Sequence, residues 1–161
     1  MLTSINISKK IKSFKNDLIK ECVEQRHVDE RGSNFYLNSK YTEKLYKYFI
    51  NYSKKYLKPF TIKNHNFKLW CYYSDTTFNQ SHWHNHEKTA TINGVLYLKV
   101  PKNNQGIDFK INNKIINYFP KNGDLIIFPS YLDHYPYPSS DKPRISLNLE
   151  LTCNEDSKEI F

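Results

Sequence analysis

Three histidines stand at alternate positions in Ser81-His82-Trp83-His84-Asn85-His86-Glu87, and a fourth, His134, lies far downstream after the apolar run Leu125-Ile126-Ile127-Phe128. Imidazole is a common metal ligand and suits iron, zinc, copper and nickel. In an extended chain, residues two apart point to the same side, so neighbouring members of this cluster can reach one ion. A single histidine in a polar loop would be an ordinary surface residue. Three at alternate positions, with a distant fourth after a buried strand, point to a metal site. The spacing leaves open which of His82, His84 and His86 would bind, and Glu87 enters if the chain turns sharply.

Arg144 follows His134 by ten residues, in Arg144-Ile145-Ser146-Leu147-Asn148-Leu149-Glu150-Leu151. The alternation places Arg144, Ser146, Asn148 and Glu150 on one side of a strand and the aliphatic residues on the other. An arginine on the inner side of a β-structure is costly unless it meets an anion. Its planar fork matches a carboxylate at two points, and Ser146 can add a hydroxyl. The rival is an arginine at a barrel mouth, paired with Asp133 or Asp141. Together, the histidines and the arginine suggest a metal site with an anionic co-substrate.

The elements that must position these residues change character near residue 61. Before it, Ile11, Phe14, Leu18 and Cys22 recur at three- and four-residue steps, predicting an amphipathic helix over 8–26 with Ser8 as its N-cap. Residues 27–38 read as a loop. Tyr41, Leu45, Tyr48, Phe49, Tyr52 and Tyr56 predict a second helix over 39–57, ended by Lys58-Pro59. Beyond residue 61, strands are expected at 67–74, 94–100, 106–111, 115–119, 125–128 and 144–151, with a turn at Lys121-Asn122-Gly123-Asp124. Many short strands separated by turns indicate a mainly β jelly roll or barrel, buttressed by two N-terminal helices. We expect a single domain over 1–161: a helical buttress at 1–60, a β core at 61–153 and a tail at 154–161.

Composition narrows the setting. The chain has 161 residues, and its hydrophobic content of 39% is offset by 13 Tyr and 10 Phe, whose rings bury large areas. Residues 1–60 carry 13 Lys or Arg against 6 Asp or Glu, within a net charge of +8. A basic face for nucleic acid is one reading, and the solvated faces of two lysine-rich helices are the plainer one. Three widely spaced cysteines without a CxxC argue against a disulfide framework and for a reducing compartment. No signal-like or membrane-spanning apolar run occurs, so a cytoplasmic protein with no membrane partner is expected.

Ser81 to Pro101, Gly123 to His134 and Arg144 to Asn148 together resemble the Fe(II)/2-oxoglutarate-dependent oxygenase superfamily, over residues of about 65–151. The likeness is greatest to a small branch of bacteria and phages that carries His-x-His beside a GVYYL-like strand, here Gly94-Val-Leu-Tyr97-Leu98. The resemblance implies a double-stranded β-helix of the jelly-roll, cupin-like kind. It implies Fe(II) held by His84 and His134, with His86 the favoured third ligand and His82 or Glu87 as alternatives. It implies 2-oxoglutarate bound by Arg144 and Ser146, with Asn148 and Tyr97 beside them. With O2 as the second co-substrate, the expected reaction is hydroxylation of an unactivated C–H in an unidentified small molecule, peptide or nucleotide, releasing succinate and CO2. Most of the superfamily has His-x-Asp or His-x-Glu. This chain has no carboxylate at that step, and three neutral histidines would leave the iron more positive.

Two rivals belong to other classes. His82-x-His84-x-x-Glu87 and Gly123 to His134 also approximate the two cupin motifs, which implies a metal-dependent enzyme or binding module that does not use 2-oxoglutarate. Arg144-x-Ser146 separates the two, because a cupin has no need of it. A degenerate jelly roll without catalysis is the third reading.

Overall fold

The computed structural model describes residues 2–26, 34–56, 65–75, 81–139 and 142–153. Nine strands and three helices fill these segments: β1 (Thr3–Asn6), α1 (Ser8–Ile11), α2 (Lys15–Glu24), β2 (Asn34–Tyr36), α3 (Thr42–Tyr56), β3 (His65–Ser74), β4 (Ile92–Lys99), β5 (Ile107–Ile111), β6 (Lys114–Tyr118), β7 (Asp124–Pro129), β8 (His134–Pro136) and β9 (Arg144–Cys153). Six strands form the larger sheet in the order β1-β7-β4-β9-β3-β2, and three form the smaller in the order β6-β5-β8. Every pairing is antiparallel. The non-consecutive neighbours are those of a jelly roll, as the turn-rich sequence predicts.

The period of two on β4, β7 and β9 gives the larger sheet two different faces. Leu96 and Leu98, Leu125 and Ile127, and Ile145, Leu147, Leu149 and Leu151 belong to one buried cluster, together with Ile11, Phe14 and Leu18 of the first helical segment and Leu45 and Phe49 of α3. The intervening Val95, Tyr97, Ile126 and Phe128 form a second cluster with Ile107 and Phe109 of β5. Phe109 and Phe128 meet edge to face across the two sheets, with ring centroids 5.0 Å apart. The helices therefore cover the outer face, and the space between the sheets is left to the site.

Several expectations are corrected in detail. The helix over 8–26 is two, α1 and α2, with residues 12–14 turning between them. The spacing of Ile11, Phe14 and Leu18 survives the break because all three still face the sheet. Ser8 opens α1 without capping it; its hydroxyl instead donates to Asn122 O at 2.9 Å. The loop over 27–38 contains β2, which pairs with β3. Residues 27–33 of that loop, the Lys58-Pro59 stop and the tail lie outside the described residues.

The tyrosine stripe of α3 is a packing surface. Tyr41 stacks on Phe14 at 4.6 Å, and Tyr48 and Tyr52 pack partly buried against the outer cluster. Tyr46, off the expected stripe, packs there as well. Cys22, Cys71 and Cys153 are buried in the same layer, none of them in a disulfide.

Candidate metal centre and active site

The histidines reach one place from two segments. His84 forms an isolated antiparallel bridge with His134, the first residue of β8, and so extends the smaller sheet by one rung. The His86 N–H donates to Ser130 O at 2.8 Å, and the turn that follows closes with Thr89 and Ala90 N–H groups on His86 O. This segment is not a regular strand. Main-chain bonds fix it instead, and they bring His86 to the same side as the bridged pair. Potential ligand atoms of His84, His86 and His134 all lie within 4.8 Å of one another.

Each ring has one nitrogen committed. Nδ1 of His84 faces His82 O at 2.9 Å, and Nδ1 of His134 faces Leu132 O at 3.0 Å. Nδ1 of His86 faces the Glu150 carboxylate at 3.0 Å. A carbonyl or carboxylate oxygen can only accept, so each Nδ1 carries a proton and Nε2 is the nitrogen left to face a metal. Burial pushes His134 down to about 3, and neighbouring His84 adds to the shift. His84 is lowered too, chiefly by burial. His84 and His134 are therefore neutral at pH 7, the state that ligates metals. Three imidazoles with ring nitrogens within this reach fit a divalent transition-metal ion.

The same histidines line a cavity of about 310 Å³ that also takes in Tyr97, Arg144, Ser146 and Asn148. The sheet register explains the grouping: Tyr97 lies opposite Ser146 and Val95 opposite Asn148, on the face turned away from the helices. Arg144 is only 1% exposed. Its Nη1 donates to Asn104 Oδ1 at 3.1 Å and to Gly106 O at 3.3 Å, while its Nε has no partner. No carboxylate among the described residues pairs with it. Asp133 accepts from Asn85 at 2.9 Å, and Asp141 lies outside the described residues. A buried guanidinium held by neutral acceptors, with an orphaned donor, has the chemistry to receive an anion. Burial pushes the Tyr97 hydroxyl up to about 12, so it stays a protonated donor.

The other sequence candidates stand apart. His82 is exposed at the cavity rim, its ring 5.0 Å from that of His84. Glu87 is exposed in the turn after His86, outside the three-histidine group. Trp83 faces away from the histidines without entering the core: it packs on Tyr135 at 5.7 Å, with Lys110 Nζ 4.3 Å from its ring centre. Three partners were missed. Asn104 reaches Arg144 from a loop, and Asn34 lines the cavity from β2, which carries no long strand signal. Glu150 shares the inner phase of Arg144, yet nothing in the sequence joins it to His86.

No protein-family model matches the chain, and no curated protein matches it in sequence. Solved structures do. A Pseudomonas putida prolyl-4-hydroxylase superposes with a TM-score of 0.72 at 13% identity, covering 94% of this chain and 92% of that one. The viral collagen prolyl hydroxylase of Paramecium Bursaria Chlorella virus-1, in its 2-oxoglutarate complex, gives 0.62 at 15% identity, covering 96% of both chains. A Trichoplax adhaerens prolyl hydroxylase, bound to a peptide fragment of the hypoxia-inducible-factor oxygen degradation domain, gives 0.68 at 14% identity, covering 98% of this chain and 84% of that one. With its two facing antiparallel sheets and helical buttress, the chain has the double-stranded β-helix fold of these prolyl hydroxylases.

Proposed function

We propose that the protein is an Fe(II)- and 2-oxoglutarate-dependent oxygenase that hydroxylates a substrate C–H, with release of succinate and CO2. The observation that carries this reading is the buried Arg144, without an acidic partner among the described residues, in the same cavity as the three-histidine group. Iron would be held by His84, His86 and His134. When bound, it would activate O2 beside a chelated 2-oxo acid.

The chain's own residues do the rest. Arg144, with its free Nε, takes the far carboxylate of 2-oxoglutarate in a fork, and Ser146 and Tyr97 add hydroxyl donors. Asn148 lies next along the same strand face. The apolar wall of Val95 and Ile107 keeps water from the dicarboxylate stem. The hydrogen bonds at Nδ1 hold the imidazoles with Nε2 turned to the metal position, and His84 and His134, kept neutral by burial, need lose no proton when metal enters.

The substrate enters from the rim, where His82, Tyr72 and Asn34 line the cavity. The structural neighbours are prolyl hydroxylases and one holds a peptide, so proline-containing peptides head the substrate screen. The first sixty residues carry the surplus of basic charge, which would suit an acidic partner. The helices pack directly on the sheet, which favours one domain over 1–161. Among the described residues no helix is long and apolar enough to cross a membrane.

The test is anaerobic titration with Fe(II), with and without 2-oxoglutarate, following the weak visible charge-transfer band of the chelate. A band that needs both components and disappears in Arg144→Ala supports the proposal. Iron binding with no such band would favour the cupin-like alternative, against which the buried Arg144 now weighs. No metal binding would leave a jelly roll without catalysis.

A further inference from the structure

Three neutral imidazoles give a divalent ion no negative charge, whereas the resemblance leads one to expect a carboxylate at the position of His86. Among the described residues, Glu150, 6% exposed, is the acidic side chain in direct contact with one of the three rings, its Oε1 3.0 Å from His86 Nδ1, while Asp133 acts on His84 and His134 only through space. The other two rings rest on main-chain carbonyls, which are neutral acceptors. We propose that Glu150 is a positioning residue that supplies the missing negative charge through His86, the carboxylate standing one ring behind the metal instead of on it. The inference rests on the metal-centre reading above.

A carboxylate that accepts the Nδ1 proton fixes the ring's orientation and makes Nε2 a stronger donor. Strand geometry makes the arrangement available. Glu150 falls in the inner phase of β9 with Arg144, Ser146 and Asn148, so one strand carries the anion-binding group at one end and the charge behind the metal at the other. Directly across the sheet from Glu150 is Asn93 of β4, 3% exposed and with neither amide atom hydrogen-bonded. Its unused N–H donors place a second polar group beside Glu150 on the β4 side, and Lys68 of β3 stands opposite it on the other. A buried carboxylate on an inner face has a large desolvation cost unless it is paired, and His86 is the partner present.

The test uses Co(II) as the metal probe on the full chain, without 2-oxoglutarate, so that it does not depend on turnover. Glu150→Gln keeps the size of the side chain and removes its charge. Calorimetry should show Co(II) affinity weaker by roughly 10- to 100-fold, with the metal-free melting temperature unchanged. Proton NMR of the Co(II) protein should show one of three shifted exchangeable N–H resonances displaced and the other two in place. Unchanged affinity in Glu150→Gln would overturn the proposal. So would weaker affinity in which all three resonances move together with a fall in melting temperature, since that describes general structural damage. If the wild-type chain itself binds no Co(II), the metal-centre reading fails first, and this inference with it.

Discussion

His84 and His134 exchange both main-chain hydrogen bonds, His84 N to His134 O at 3.1 Å and His134 N to His84 O at 2.9 Å. The two rings, 4.3 Å apart by centroid, are therefore registered by backbone and not by each other. Replacing the His84 side chain leaves that bridge intact. His84→Ala should fold with nearly the wild-type melting temperature. Its metal affinity should fall by more than the roughly 10- to 100-fold that loss of a supporting partner causes. Calorimetry with Co(II) and a thermal melt check both halves, and undiminished affinity would remove His84 from the ligand set.

Arg144 yields a prediction with opposite signs. Without an anion it is a buried charge held by neutral acceptors, and a shape-matched apolar residue is often as good or better in such a place. Arg144→Met should leave the melting temperature of the free protein equal or higher. The same variant should lose 2-oxoglutarate, because truncating one side of a buried charged pair costs about 2–5 kcal/mol. A marked drop in the melting temperature without ligand would mean that the bonds to Asn104 and Gly106 outweigh the unpaired charge.

The inner face of β9 was legible in advance because a strand's period is strict: once Ile145, Leu147, Leu149 and Leu151 are seen as one apolar row, Arg144, Ser146, Asn148 and Glu150 must share the other side. The meeting of His84 with His134 could be expected only as a consequence of the jelly roll. The Glu150–His86 contact could not be read at all, because alternation fixes the side on which Glu150 lies and says nothing of what faces it. β1 and β2 escaped for another reason. Each is an edge strand of three or four residues whose conformation is imposed by its partner, β7 or β3, and not by its own sequence. The break between α1 and α2 escaped because the apolar spacing is the same with or without it.

Protonation of the histidines should make the metal-free protein acid-sensitive. His134 takes a proton near pH 6.5 when unfolded but only near 3 when folded. Its surroundings explain the shift: burial and the rings of His84 and His86 disfavour the charged form, while the Leu132 carbonyl and Asp133 oppose them less strongly. Between those values the unfolded chain holds the extra proton, so stability is full above about pH 6.5 and falls as pH drops. From pH 6.5 to 5 the loss from His134 alone is about 2 kcal/mol, and His84 adds in the same direction. Urea unfolding at pH 7.5 and 5, without metal, measures it. Equal stabilities would show that His134 is not held neutral.

Gly94 tests how the helical layer is seated over the site. It lies on β4 opposite Ile127 and Leu149, facing the outer cluster, and a Cβ added there would fall 2.6 Å from Phe49 Cε2 and 3.4 Å from Leu125 Cδ1. Phe49 is fully buried, so its ring has no open side to retreat to. Gly94→Ala should push α3 off the sheet and destabilise the fold by about 1–3 kcal/mol, the usual range for overpacking. The neighbouring Val95 and Tyr97 point the other way, so metal affinity below the melting transition should hardly change. A thermal melt together with a Co(II) titration separates the two effects. Lost metal binding in a folded Gly94→Ala protein would show that the helices set the site's geometry through β4, and that the outer layer is part of the machinery and not only its support.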